Sequence, residues 1–248
     1  MAEITVEGLV LARFDSGESD RRLVLLSPEF GKIDAIAKGA RKGGSRLAGS
    51  SEPLVWATFH LAEGRARRFV SQVQPKSSFP GLRADYERLQ CGLALTQFVA
   101  AISEDPAMAP EVFGFTLQAL HRLEVHPLPV LALMWACLQL LELEGVAPIL
   151  DRCVDTDEPL ELDPCIVSPT AGGLVSAGTA GKYADSFSAP AFACLGLARL
   201  AEQAEPPAKM KLLEPSFRVL HRVLEHQAHR SLPAFAAVGH QLIEGSGE

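Results

Sequence analysis

The spacing of apolar residues changes once along the chain, near residue 80, and that change separates what can fold as sheet from what can fold as helix. Before it, short runs rich in Val, Ile, Leu and Phe are separated by Gly, Ser, Asp and Pro. Ile4 to Phe14 is strand-like, and Asp15–Asp20 supplies turn residues before Arg22–Leu26. Pro28 and Gly31 punctuate the chain ahead of Lys32–Ala37. Leu54–Leu61 and Phe69–Val73 follow, with Ala62-Glu63-Gly64-Arg65 reading as the hairpin turn between them. Five short strands in residues 1–80 suit a small closed barrel. An OB-fold, the five-stranded Greek-key barrel, is the expectation, and an SH3-like barrel fits the periodicity nearly as well.

Pro75 to Pro80 reads as a linker, and the texture after it is helical. Leu82–Ser103 carries apolar residues at 82, 89, 93, 95, 98, 99 and 102, close to one helical face. Further helices are predicted over Glu111–Leu123 and Val130–Leu143. The second of these is apolar on nearly every side, as a central core helix would be. Gly145 and Pro148 stop it. Residues 151–180 then break the pattern with acids, Pro, Ser, Thr and Gly, and hold Cys153 and Cys165. Helix resumes at Ala189–Gln203 and again from Glu214 to His226. The sequence therefore predicts an α+β multidomain protein. Residues 1–80 form the barrel domain, 81–150 and 181–248 an α-helical domain, and 151–180 a small loop-rich insertion.

Charge follows the same division. Residues 1–80 hold 12 Lys and Arg against 9 Asp and Glu, a net of +3, whereas 81–248 hold 11 against 21, a net of −10; together they give −7. Exposed charges are screened beyond roughly 10 Å at moderate salt, so the local excess matters more than the total. The excess concentrates in Ala37-Lys38-Gly39-Ala40-Arg41-Lys42-Gly43-Gly44-Ser45-Arg46, four cations and no acid between two predicted strands. Lys38, Arg41, Lys42 and Arg46 there, with Arg65, Arg67 and Arg68 at the next turn and Arg13 at the first hairpin, are the candidate DNA-binding residues. Arg21 and Arg22 add charge to that hairpin. Arg forks and Lys point charges suit phosphate oxygens. Phe14, Phe30, Trp56, Phe59 and Phe69 are the aromatics available to stack on bases. Nothing indicates base-edge readout, so binding is expected to be sequence-independent and salt-sensitive. A bare solvated loop is the alternative reading of such a charge run.

Other chemistry is poorly supported. Cys91, Cys137 and Cys194 lie in apolar helical runs and read as core residues. Cys153 and Cys165 stand where a zinc site would be sought, but the chain has no C-x-x-C, and structural zinc needs four S or N ligands. No cofactor is expected, and zinc only through irregular ligands around those two cysteines. His221, His226 and His229 cluster near the C-terminus, and 226 and 229 would share a face if their helix extends that far. A metal-dependent nuclease built on them is the remotest reading. Gly178-Thr179-Ala180-Gly181-Lys182-Tyr183 has too few residues between its glycines for a phosphate loop and lacks the hydroxyl after Lys. The chain is read as non-enzymatic. Its longest apolar run, Leu128–Leu141, is interrupted by Gln139 and is shorter than the ~18 residues that span a bilayer. The N-terminus is not that of a signal peptide, so a cytoplasmic location away from membranes is expected.

The order of these features resembles the RecO family of bacterial recombination mediators. Gly8-Leu9-Val10-Leu11 with Arg13 is similar to the family's opening strand, and Leu23–Leu26 to its second. Ala37-Lys38-Gly39-Ala40-Arg41-Lys42 with Ser45 is similar to its most recognisable motif, ahead of Glu52-Pro53-Leu54. Leu140-Leu141 through Gly145, Pro148, Leu150 and Cys153 resembles the lead-in to the family's zinc-binding insertion. Leu220–Leu224 and His229-Arg230-Ser231-Leu232 resemble its final helix and the turn after it. The resemblance implies an OB-fold followed by a helical domain with a zinc-finger-like insertion. It also implies binding of single- and double-stranded DNA, strand annealing, and, with RecR, help for RecA in displacing single-strand-binding protein. Many relatives carry two Cys pairs in the insertion. Here Cys153 matches the first position, while Thr156, Ser176 and Thr179 stand at the other three. A scaffold whose barrel binds an acidic peptide tail, without DNA affinity, is the competing reading.

Overall fold

The computed structural model describes residues 3–65, 67–159 and 163–245. The chain divides into two compact units, Met1–Val125 and His126–Glu248.

Five strands build the barrel of the first unit: β1 (Glu3–Ser16), β2 (Asp20–Ser27), β3 (Gly31–Ala37), β4 (Trp56–Glu63) and β5 (Arg68–Ser77), with the short helix α1 (Leu47–Ser50) between β3 and β4. They close in the order β1-β2-β3-β5-β4. All pairs are antiparallel except β3 with β5, where Ala35 faces Arg68 and Ile36 faces Phe69. This is an OB-fold. Strand alternation supplies the interior: Ile33, Ala35 and Ala37 point inward from β3 while Lys32 and Asp34 point out. Val6, Val10, Leu23, Leu25, Phe59 and Leu61 complete the buried cluster. Gly8 has a role in this packing, because a Cβ there would stand 3.3 Å from the Phe59 ring.

The boundaries around β4 and β5 differ from those expected. Strand β4 runs through Glu63 and β5 begins at Arg68, so the turn is not 62–65, and Gly64 N–H donates to Arg67 O at 2.9 Å. Strand β5 also runs through Ser77, so residues 75–77 are strand and not linker. Pro75 is tolerated because it sits opposite Ala57, next to a register shift where no regular ladder bond is lost. Beyond the barrel come α2 (Pro80–Arg83), α3 (Tyr86–Ile102) and α4 (Ala109–Val125). The single helix expected from Leu82 is broken before Tyr86 because Asp85 adopts an extended conformation. Its carboxylate accepts the Arg88 N–H at 2.9 Å and so caps α3.

The second unit opens with α5 (Pro129–Leu143), buried along almost its whole length as its composition predicts. The segment 151–180, expected to be loop, lies within a four-stranded sheet that extends past it at both ends: β6 (Ile149–Cys153), β7 (Cys165–Ser168), β8 (Gly173–Val175) and β9 (Phe187–Ala189), in the order β6-β8-β7-β9. Three to five residues per strand are too few for alternation to show. At Gly173 a Cβ would overlap the backbone of Ile149, which fixes glycine where β6 and β8 meet. Three helices follow: α6 (Ala191–Ala201), α7 (Leu213–Gln227) and α8 (Pro233–Gly245). Leu220–Leu224 therefore belongs to the penultimate helix, and α8 was not foreseen. Among the described residues no helix is long and apolar enough to cross a membrane.

Candidate nucleic-acid interface

Strand register assembles a row of side chains across the outside of the barrel. Phe14 is opposite Arg22, Arg22 opposite Ile36, and Ile36 opposite Phe69, spanning β1, β2, β3 and β5. Directly opposed residues share a face, and the flanking Leu23, Ala35 and Val70 belong to the core cluster while this row does not, so the row lies on the outer side, with Ile36 itself only 6% exposed. Phe14 is 48% exposed. The Arg22 guanidinium lies 4.4 Å from the centre of the Phe14 ring, and Lys38 Nζ lies 4.4 Å from that of Phe69. Each cation thus gains from the electron-rich ring face while staying at the surface. A cleft of about 340 Å³ beside the row is lined by Asp15, Ser16, Arg22, Asp34, Ile36 and Arg67. A second, of about 510 Å³, is lined by Asp34, Glu63, Gly64, Arg65, Arg67 and Arg68. Asp34 and Arg67 border both.

The basic loop is held against the first hairpin. Gly39 takes a φ of 64°, and its N–H donates to Asp20 Oδ1 at 2.8 Å. Arg41 N–H donates to Ser19 O at 2.9 Å, and its guanidinium reaches Gly17 O at 3.3 Å and the Asp15 carboxylate at 3.4 Å. The chain then enters α1, which is anchored from beneath: Arg21 donates to Ala48 O at 2.9 Å and Ser51 Oγ at 2.7 Å, and pairs with Glu52 at 3.0 Å. Arg13 pairs with the same Glu52 at 2.8 Å.

These contacts sort the predicted cations into two groups. Arg13 and Arg41 are engaged by carboxylates, Arg68 lies 3.9 Å from Glu63, and Lys38 rests on Phe69. Lys42, Arg46, Arg65 and Arg67 are exposed, and among the described residues no ion pair or hydrogen bond holds their side chains. What the sequence did not convey is the interleaving of acids: Asp15, Asp34 and Glu63 stand among the cations, and Asp34 pairs with Arg22 at 2.8 Å. Period-two alternation in β3, which puts Asp34 on the side of Ile36, was the signal available for it. Of the other aromatics, Phe59 is fully buried and cannot stack on a base, and Phe30 is exposed in the β2–β3 turn. Trp56 Nε1 donates to Glu7 Oε1 at 2.7 Å. Burial works to raise the Glu7 carboxyl, but hydrogen bonds from Lys76 and Trp56 hold it below its usual range.

Residues 1–79 match the family described as Recombination protein O N terminal, and residues 83–233 match Recombination protein O C terminal. The chain belongs to the recombination protein O family. It is 37% identical over 173 residues to the DNA repair protein RecO of Heliobacterium modesticaldum, an alignment covering 68% of this chain and 63% of that relative. With the DNA repair protein RecO of Desulfitobacterium hafniense the identity is 32% over 169 residues, covering 68% and 62%. These two matches thus take in less than two thirds of those relatives. That of Anaeromyxobacter is 29% identical over 245 residues, covering 94% and 95%.

The remaining candidates of this RecO-family chain do not converge. Cys91, Cys137 and Cys194 are buried, as predicted for core residues. Cys165 is buried too, with its Sγ 3.4 Å from Cys194 Sγ, so it faces α6 and is no partner for Cys153. Among the described residues no three His, Cys, Asp or Glu side chains gather as a metal site. Around Cys153 the neighbouring donors are hydroxyls and backbone N–H groups, which do not fit tetrahedral zinc. Helix α7 ends at Gln227 and His229 follows with a φ of 50°, so His226 and His229 do not share a helix face. His221 stacks near Phe217 and Phe235, with ring centres 6.0 and 5.9 Å away. Burial pushes its pKa down, against the Glu225 carboxylate 3.4 Å from Nε2.

Proposed function

We propose that this chain is a non-enzymatic DNA repair and recombination mediator whose barrel binds single- and double-stranded DNA without regard to sequence. The observation that carries this reading is the outward row Phe14–Arg22–Ile36–Phe69, with Arg67 bordering the cleft beside it, together with Lys42, Arg46 and Arg65, which like Arg67 are exposed and unpaired among the described residues. Bases of a single strand stack on the exposed ring of Phe14 and at the edge of Phe69, while the free Arg and Lys take phosphate oxygens. Arg13 serves the fold more than the ligand, since it is committed with Arg21 to Glu52. Arg41 and Lys38 must exchange an internal partner for phosphate, so they contribute less than the unpaired four. Cations that neutralise phosphates on two strands reduce their mutual repulsion, and this is how the barrel promotes annealing. Family membership supports the wider role: acting in the cytoplasm with RecR to assist RecA loading onto single-stranded DNA coated by single-strand-binding protein.

The test is fluorescence anisotropy with labelled oligonucleotides of unrelated sequence, titrated at several salt concentrations without metal or nucleotide. Salt-sensitive binding of all of them is expected, followed by annealing of complementary pairs. No binding even at low salt would overturn the reading in favour of a protein scaffold.

A further inference from the structure

Two tight turns leave the four-stranded sheet side by side. Strands β6 and β8 run parallel with Cys153 opposite Leu174, and Val154 N–H donates to Leu174 O at 2.8 Å. After Cys153 the first turn closes with Asp157 N–H donating to Cys153 O at 2.9 Å. After β8 the second closes with the N–H groups of Thr179 and Ala180 donating to Ser176 O at 3.1 and 2.9 Å. Each turn brings a residue and the third one after it to the same side: Cys153 with Thr156, and Ser176 with Thr179.

The two turns and the side chains they carry are tied together by hydrogen bonds. Burial works to raise the Cys153 thiol, but hydrogen bonding from Thr156 and from the Asp155 and Ser176 backbones holds it below its ordinary pKa, so both turns act on the sulfur; the Thr156 hydroxyl also donates to Glu158 Oε2 at 3.2 Å. Ser176 Oγ lies 3.0 Å from Thr179 Oγ1. Hydrogen bonding from Thr179 and Tyr183 holds the Asp155 carboxyl below its usual range, with Tyr183 Oη donating to it at 3.0 Å, and this ties the first turn to the segment that follows the second; the Thr179 hydroxyl also donates to Ser176 O at 3.3 Å. Two facing turns with ligand positions three residues apart are the arrangement by which paired C-x-x-C turns hold structural zinc. Here the donors do not fit the ion. One thiol and three neutral hydroxyls cannot supply four S or N ligands, and the nearby carboxylate already has two donors. What a metal would do for such turns, pinning one to the other, the hydrogen bonds do.

We infer that the cluster of Cys153, Thr156, Ser176 and Thr179 replaces a structural zinc ion in this chain. It is a latent tetrahedral site that lacks three of its four sulfurs. The inference stands apart from the DNA-binding reading, because neither its residues nor its readouts involve the barrel. Wild-type protein is expected to carry far less than one zinc per chain by elemental analysis, and its Tm is expected not to change with chelator. The triple variant T156C/S176C/T179C is expected to bind one equivalent of Co²⁺, with the absorption of a tetrahedral thiolate site. It should gain thermal stability with Zn²⁺ and lose that gain to chelator. Stoichiometric zinc in the wild type, removed with a fall in Tm, overturns the inference. So does a triple variant of native circular dichroism that binds no cobalt. Should that variant fail to fold, Thr179→Val tests the network directly: losing one hydroxyl of unchanged shape is expected to lower Tm by about 2–4 °C. An unchanged Tm would show that the hydrogen bonds do not hold the turns.

Discussion

The barrel and the small sheet of the second unit are both made of short strands, yet they are held together in different ways. Barrel strands of 7 to 14 residues alternate strictly enough to wrap a continuous apolar interior from Val6 to Val70. Strands β6 to β9 have three to five residues each, and much of their definition comes from polar turns around Cys153, Ser176 and Asp155. Apolar burial is non-directional and tolerant, so it leaves a repeating imprint in the sequence. A hydrogen-bonded turn depends on a few atoms and leaves no period at all. The barrel's outer face lies between these extremes: its row is fixed by register, but its electrostatics are fixed by individual pairs.

Four substitutions test that contrast. Phe59→Ala removes the largest side chain of the barrel interior, 0% exposed, and should cost about 3–5 kcal/mol in urea unfolding. A cost near that of a single turn hydroxyl, about 1 kcal/mol, would mean that the interior does not dominate the barrel. Phe14→Ala acts on the outer face instead. It should leave stability nearly intact and weaken single-strand binding by ~1–3 kcal/mol, with little effect on duplex, because only unpaired bases can stack. Equal losses for both forms of DNA would assign Phe14 to packing. Asp34→Asn frees Arg22 and removes a negative charge shared by both clefts. DNA affinity should rise severalfold at low salt and converge with wild type at high salt, as for a screened surface pair worth less than ~1 kcal/mol.

The smallest effect is one of pH. The His221 pKa lies below its ordinary 6.5 in the folded chain because of burial, so the unfolded chain binds more protons as pH falls. His221 therefore contributes a stability that is complete above about pH 6.5 and declines as pH drops towards the folded pKa. His221→Gln should flatten that part of the stability curve. A slope unchanged by the substitution would place the titration elsewhere.

The barrel, α5 and α7 were legible because each repeats one pattern over many residues. The four-residue helix α1 was not, since its position depends on Arg21 reaching Ala48 O and Ser51 Oγ across the chain. At the candidate interface, composition located the cations but could not separate Arg65 and Arg67, which are unpaired among the described residues, from Arg13 and Arg41, which are engaged. That distinction rests on contacts between residues 26 to 39 positions apart. Helix α8 is the clearest omission: the sequence pattern predicts a last helix ending near His226 and a turn at His229–Leu232, and the chain continues from that turn into Pro233–Gly245.

If Arg65 and Arg67, between β4 and β5, carry phosphate binding, their loss must change the salt dependence of single-strand affinity, compared among the wild type, Arg65→Ala/Arg67→Ala and Arg13→Ala. The double variant should lose about 1.4 from the slope of log affinity against log salt, roughly 0.7 for each phosphate contact, and Arg13→Ala should keep the wild-type slope. Equal slopes for the wild type and the double variant, or a larger loss from Arg13→Ala, would place phosphate binding elsewhere.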